Sequence, residues 1–384
     1  MKIGIMTFWC SEDNYGQILQ CYALQKYLYD MGHDAYLIRY NPRGDYIKLP
    51  IWMKIQKVFS SSALRAFFLF KRQRMVDKQE KRNNPRNFEG FRNKYIRQSE
   101  KIYHSYKELI ALPPPADIYI VGSDQIWNTD PKPISRAVNV INAFLLNFGD
   151  SSTKRISYAA SFGKEKEELD SGFIDTFSPL LKKLDYVSVR EKSGLEICKQ
   201  CGINNAEWVS DPTILLDTNI YRTLYQDEKN IQKPDKPYIF LYLLGTKIDF
   251  SLPDMYNWAQ NRNLEIVYLT GNSQQDEYKK TYSTIPEWIY LLEHAEYVIT
   301  NSYHGTVFSI LFKKKFSVIP RPGKRIGMNN RFYALFQLLK IESRFIGSDF
   351  SVLDHDIDWK SVADALQTIR NTCKLNEIIS GKKI

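Results

Sequence analysis

Lys2 to Arg39 read KIGIMTFWCSEDNYGQILQCYALQKYLYDMGHDAYLIR, and the order of patterns in that stretch decides the fold. Lys2–Trp9 is a short apolar, β-rich run, and Ser11–Gly16 is a polar loop. From Ile18 onward, Ile18, Cys21, Tyr22, Leu24, Gln25 and Leu28 recur at helical spacing, and Gly32 follows the last turn. Asp34–Arg39 is a second strand. Strand, loop, helix and strand in that order open an α/β domain with a parallel sheet.

The same rhythm continues outward. Ile118–Val121, Arg155–Ala159 and Tyr186–Val189 read as buried strands, the last followed by a helix over Glu191–Gln200 that stops at Gly202. This gives a first Rossmann-like domain over 1–212, a polar linker over 213–234 and a second Rossmann-like domain over 235–384. In the second, strands are expected at Tyr238–Leu244, Glu265–Leu269, Tyr297–Thr300 and Lys315–Ile319, with helices between and after them. In such sheets ligands lie beyond the carboxyl ends of the strands, so two facing domains place the site in the cleft between them.

Of the 384 residues, 43% are hydrophobic and 25% charged. These values exclude a disordered, collagenous or disulfide-stapled chain. Net charge is +10, and it is local: Lys48 to Arg97 holds fourteen Lys and Arg against three acids. That insertion, about 48–100, fits neither domain core. Within 51–74, Trp, Phe and Leu interleave with basic residues, as in helices that rest on anionic lipid; an ordinary solvated excursion is the other reading. Five cysteines argue against a secreted disulfide framework, and Cys198 and Cys201 lack the second pair a zinc site needs. No signal peptide and no apolar run of membrane-spanning length is found, so a cytoplasmic location is expected.

The loops after strands carry the candidate chemistry. Asn14, Tyr15 and Gln17 surround Gly16 at the start of the first helix, where backbone N–H groups face a ligand; a plain tight turn also accounts for them. Gly122-Ser123-Asp124-Gln125-Ile126-Trp127-Asn128 gathers a carboxylate, amides and an indole after one strand. Asp124 and Gln125 suit sugar hydroxyls, and Trp127 a sugar face; an N-cap Asp with a buried Trp also accounts for Asp124 and Trp127, but not for the density of polar groups. Arg190, at the end of Tyr186–Val189, suits a phosphate or carboxylate through its planar fork, or a salt bridge with Glu191. Asn301-Ser302-Tyr303-His304-Gly305-Thr306 places His304 where a strand yields to a helix, and imidazole trades protons near neutral pH.

Together these segments resemble the polysaccharide pyruvyl transferase family. The resemblance rests on Asn14-Tyr15-Gly16 with Leu19-Gln20-Cys21-Tyr22-Ala23-Leu24, and on Gly122–Asn128. It continues through Ser157-Tyr158-Ala159-Ala160-Ser161-Phe162-Gly163, Val189-Arg190-Glu191, Val209-Ser210-Asp211-Pro212-Thr213 and Ser302–Thr306, in the family's order. It implies a fold similar to the B-type glycosyltransferases and a transfer of pyruvate from phosphoenolpyruvate onto two sugar hydroxyls as a cyclic ketal. It also implies a glycan acceptor, often lipid-linked, for which the basic segment would hold the enzyme on the inner membrane face. His304 matches the family's catalytic His, and Arg190 its anion-holding Arg. Ser302, Tyr303, Gly305 and Thr306 would bind the donor. Where some members carry Arg two residues before the His, this chain has Ser302; Arg331, after Asn330, is expected to supply the charge, with Arg325 second. No step requires a metal or cofactor.

Two other functions share the fold. A nucleotide-sugar glycosyltransferase would need an acid gripping a ribose, for which Glu287 and Glu296 are loosely placed. A non-catalytic glycan- or membrane-binding module would use the same cleft. A nucleic-acid partner for the basic segment is not expected, since the charge is confined to one region.

Overall fold

Ile3, Ile5 and Met6 of the first apolar run are fully buried and form strand β1 (Lys2–Met6). It pairs in parallel with β2 (Asp34–Tyr40) on one side and β4 (Ile118–Val121) on the other, so that Ile3 faces both Ala35 and Ile118. β3 (Gln98–Tyr103) and β5 (Lys154–Ser157) extend the edges, giving the order β3-β2-β1-β4-β5. A short parallel pair, β6 (Ser188–Val189) and β7 (Glu207–Trp208), continues past β5 through single bridges from Ile156 to Tyr186 and Ala160 to Val189. The second sheet holds β8 (Tyr238–Leu243), β9 (Glu265–Thr270), β10 (Tyr297–Thr300) and β11 (Lys315–Val318) in the order β11-β10-β8-β9, again parallel. Every residue of β8 is buried, as expected of a strand covered on both faces.

This computed structural model describes residues 1–46, 68, 71–72, 75–76, 78–128, 134–228, 231–245, 250–270, 276–320, 329–347 and 349–381. Among them no helix is long and apolar enough to cross a membrane. The architecture is two Rossmann-like α/β units, as the sequence predicts. Strand order reverses between β1 and β4 in one sheet and between β8 and β10 in the other. The loops leaving those carboxyl ends include 122–128 and 301–302, the positions at which sheets of this kind bind ligands.

Helix α1 (Tyr15–Asp30) joins the units, because it is buried on several sides rather than along one stripe. Its Tyr15, Ile18, Leu19 and Tyr22 share a core with Tyr242, Trp288, Val307 and Phe308 of the second unit, while Leu24 and Leu28 pack with Ile3 and Ile5 of the first. Other helices used below are α2 (Lys192–Gln200), α3 (Pro212–Leu215), α4 (Ile285–Glu293), α5 (Tyr303–Leu311), α6 (Asn330–Leu338), α7 (Trp359–Asn371) and α8 (Leu375–Ser380).

Two boundaries differ from the sequence reading. The insertion over 48–100 does not stay outside the core: Phe88, Phe91 and Ile96 are buried in the inter-unit core, and Gln98–Tyr103 is an edge strand of the first sheet. That strand is polar and half exposed, so it lacks the apolar run that marks a central strand. The second unit, read as 235–384, gives its last helix away. Leu375, Ile378 and Ile379 of α8 pack on Ile3, Ile5 and Ile118 of the first sheet. Cys198 and Cys201 are both buried, and burial pushes their thiols up to about 12 and about 11, so they stay protonated and apolar.

Candidate active site

Asp211 is the point on which the site is built. It follows β7 and caps α3: its Oδ1 accepts the Thr213 backbone N–H at 3.0 Å and the Thr213 hydroxyl at 2.7 Å, and Pro212 occupies the first helical position. Its Oδ2 accepts Ser123 Oγ–H at 2.9 Å and Arg190 Nη1–H at 2.9 Å. His304 Nε2 stands 3.4 Å from that same oxygen. One buried carboxylate thus gathers groups from the β4 loop, the end of β6 and the start of α5.

Burial alone would raise the Asp211 pKa, but His304, Arg190 and the Thr213 hydroxyl hold it well below the usual carboxylate range. Burial likewise opposes the Arg190 charge, and Asp211, with Asp124 and Glu191 behind it, holds that pKa above the ordinary arginine value. Arg190 has a side chain 1% exposed. Its Nη2 is 3.8 Å from Asp124 Oδ1 and its Nε 3.9 Å from Glu191 Oε2, too long for hydrogen bonds. Arg190 Nε and Nη2, His304 Nε2, Glu191 Oε2 and Gln125 Nε2 are buried without a hydrogen-bond partner. Such atoms are few in folded proteins, and their concentration here makes this the candidate site.

His304 is set from two sides. Ser302 Oγ caps α5 by accepting the Gly305 N–H at 3.2 Å, fixing the turn that carries the ring. Across the interface, Gly16 of α1 leaves room for it: a Cβ there would lie 2.3 Å from His304 Cγ and Nδ1. The Tyr303 ring lies beside His304 at 5.5 Å between centroids. The Arg190 guanidinium stands over that ring at 4.6 Å and the Arg331 guanidinium at 5.7 Å. A chain of hydrogen bonds runs from Gln20 Nε2 to Thr7 Oγ1 and from Thr7 Oγ1 to Ser123 O, tying α1 to the Ser123 that holds Asp211.

The β4 loop is shaped by Gly122, whose φ of +122° and a would-be Cβ 2.0 Å from Tyr158 O admit glycine alone. Asp124 follows in the left-handed region at φ +76°, a conformation that costs an L-residue energy and clusters at functional sites.

Of the residues expected from sequence, the structure brings together His304, Arg190, Asp124, Tyr303 and Arg331. Several others are placed differently. Trp127 is 2% exposed and its Nε1–H donates to Phe144 O at 3.0 Å, so its face is not offered to a sugar. Tyr15 is fully buried, donates its hydroxyl to Ser283 O at 2.8 Å and stacks on Trp288; it packs the interface. Gly16 receives the His304 ring, not a ligand, and Asn14 caps α1 by accepting the Gln17 N–H. Gln17 is half-buried at that first turn, and Gln125 lies beside the site in its loop.

The N–H groups of Gly305 and Thr306 are taken by Ser302 Oγ and Ser302 O, so this helix start does not present them to an anion as the sequence suggested. Asn330 is exposed and donates to Glu165 Oε1 at 2.9 Å. Arg325 lies outside the described residues. The acids weighed for a ribose are elsewhere engaged: Glu287 closes the cap of α4, and Glu296 is exposed just before β10, at the amino end of the sheet.

The residue sequence reasoning missed is Asp211. Its signal was present, since Asp-Pro-Thr reads as a helix N-cap followed by Pro. What the spacing did not carry is that the cap's second oxygen meets residues 21 and 93 positions away.

A family model described as polysaccharide pyruvyl transferase matches residues 14–321. No curated protein matches the chain at a significant level. Among solved structures, the chain is similar to UDP-GlcNAc 2-epimerase from Methanocaldococcus jannaschii at 11% identity, covering 97% of this chain and 94% of that one with a TM-score of 0.47. An alpha-glucosyltransferase solved with UDP and DNA gives 9% identity, 99% coverage of each chain and a TM-score of 0.45. The glycosyltransferase SnogD from Streptomyces nogalater gives 11% identity, 97% and 94% coverage and a TM-score of 0.38.

Proposed function

The chain belongs to the polysaccharide pyruvyl transferase family, and from that premise we propose that it moves pyruvate from phosphoenolpyruvate onto two hydroxyls of one hexose in a cell-surface glycan precursor, closing a cyclic ketal. One observation carries the reading: His304 and Arg190 meet on a single buried carboxylate oxygen of Asp211, with Arg190 Nε and Nη2 left without a hydrogen-bond partner. A donor with a carboxylate and a phosphate supplies acceptors for such atoms.

In this scheme Arg190 binds one negative end of the donor through Nε and Nη2, while Asp211 keeps its Nη1 engaged and its charge fixed. Arg331, whose guanidinium lies 5.7 Å from the centre of the Tyr303 ring, takes the other end. His304 gives a proton to the donor's methylene carbon, which becomes a methyl, and C2 takes positive character. A sugar hydroxyl adds to C2, and its proton returns to the imidazole. The second hydroxyl forms the other C–O bond as the bond from C2 to the phosphate oxygen breaks. Phosphate leaves with that electron pair and takes up the second hydroxyl's proton. Asp124 and Gln125, on the same loop wall, hold acceptor hydroxyls.

We place the acceptor on a lipid carrier at the cytoplasmic membrane face. Support comes from Phe68, Met75 and Val76, which expose apolar side chains beside exposed Lys71 and Arg72; most of 51–74 lies outside the described residues. The test is incubation with phosphoenolpyruvate and a panel of lipid-linked glycans. Glycan-dependent release of phosphate is expected. Release of a nucleoside diphosphate from a sugar nucleotide, with phosphoenolpyruvate untouched, would replace this reading with glycosyl transfer.

A further inference from the structure

Arg86 is 8% exposed, yet its Nη1 has no hydrogen-bond partner. Among the described residues its guanidinium makes one polar contact, lying over the Tyr282 ring at 5.0 Å. Tyr282 follows Thr281, which bridges to Leu269 near the carboxyl end of β9, the end at which ligands of such sheets bind. Ser283, next to Tyr282, accepts the hydroxyl of Tyr15 at 2.8 Å, which ties the segment under Arg86 to the first turn of α1. His304 sits at that same turn, against Gly16.

The acids in this neighbourhood are occupied. Asp13 Oδ2 pairs with Lys81 Nζ at 2.8 Å. Glu287 accepts the backbone N–H groups of Gln232 at 3.1 Å and Thr284 at 3.3 Å. Among the described residues no carboxylate pairs with Arg86, and its buried Nη1 is a donor that an anion can complete.

We propose that Arg86 is the cation of a second phosphoryl-binding subsite, beside the carboxyl end of β9 in the second sheet. Its ligand is a phosphate ester: the phosphoryl end of the donor, or the phosphate that links an acceptor sugar to its carrier. The proposal rests on the transfer reading only for the source of that phosphate, since the binding chemistry is independent of it.

Calorimetric titration of the full chain with inorganic phosphate, phosphoenolpyruvate and a hexose 1-phosphate, each alone, tests this in wild type, Arg86→Met and Arg86→Lys. Met keeps the stem on Tyr282 without the charge. Arg86→Met is expected to weaken at least one ligand about tenfold or more, with Arg86→Lys between it and wild type and an unchanged far-ultraviolet spectrum. Loss for phosphoenolpyruvate alone assigns the donor; loss for the hexose phosphate alone assigns the acceptor. If Arg86→Met only lowers the melting temperature and binds all three as wild type does, Arg86 is a packing residue and the subsite is wrong. Should Arg86→Met fail to fold, Arg86→Lys decides: affinities equal to wild type for all three overturn the proposal. A wild type that binds phosphate through Arg86 but never releases phosphate from phosphoenolpyruvate would sink the transfer reading and leave this one standing.

Discussion

Asp211 meets Arg190 and His304 with one oxygen, and its environment makes a sharp demand. With its pKa depressed below the unfolded value of about 3.9, it contributes stability that is fully present above that pH. The contribution is lost as pH falls through the folded value. Acid unfolding followed by circular dichroism should therefore begin later in Asp211→Asn, relative to its own neutral stability, than in wild type. At neutral pH the same variant leaves Arg190 buried without its counter-charge and is expected to lose about 3–5 kcal/mol. A variant as stable as wild type at neutral pH would mean that Arg190 finds another partner. At this scale His304 and Arg190 were legible in the sequence because each sits at a strand end in a motif. Asp211 was not, because its chemistry comes from contacts across the sheet and across the units.

Helix α1 shows how an element can be found correctly and its use misjudged. Its start, its period and its stop are readable in the sequence, but helical periodicity does not say which neighbours the buried sides meet. Tyr15 and Gly16, which looked like ligand contacts, face the second unit. Gly16 is the closest approach, and adding a methyl there must move the His304 ring. Gly16→Ala should cost about 1–3 kcal/mol of stability through overpacking and lower kcat about 10²-fold through misplacement. Equal activity in Gly16→Ala would show that the observed ring position is not the working one. The start of α5 carries a similar lesson: Ser302 reads as part of a donor site, but its hydroxyl is spent on capping the turn that aims His304.

Across the whole molecule, both sheets were legible from their apolar runs, whereas the way the chain ties them together was not. The polar edge strand β3 gives no apolar signal, and α8 carries three apolar residues that could face either unit. The structure resolves the ambiguity by returning α8 to the first sheet. Ile379→Ala, at a position 2% exposed, should destabilise by about 2–4 kcal/mol and speed amide exchange in β1. Faster exchange confined to β8–β11 would place α8 with the second unit instead. This tie and the inter-unit core around α1 keep His304 of one unit against Asp211 of the other.

The most direct measurement is the mass of a lipid-linked glycan after incubation with phosphoenolpyruvate and either wild type or folded His304→Gln. Wild type should add one pyruvyl group per acceptor, and the variant should do so about 10²- to 10⁴-fold more slowly. Pyruvylation by the variant at the wild-type rate would contradict the account.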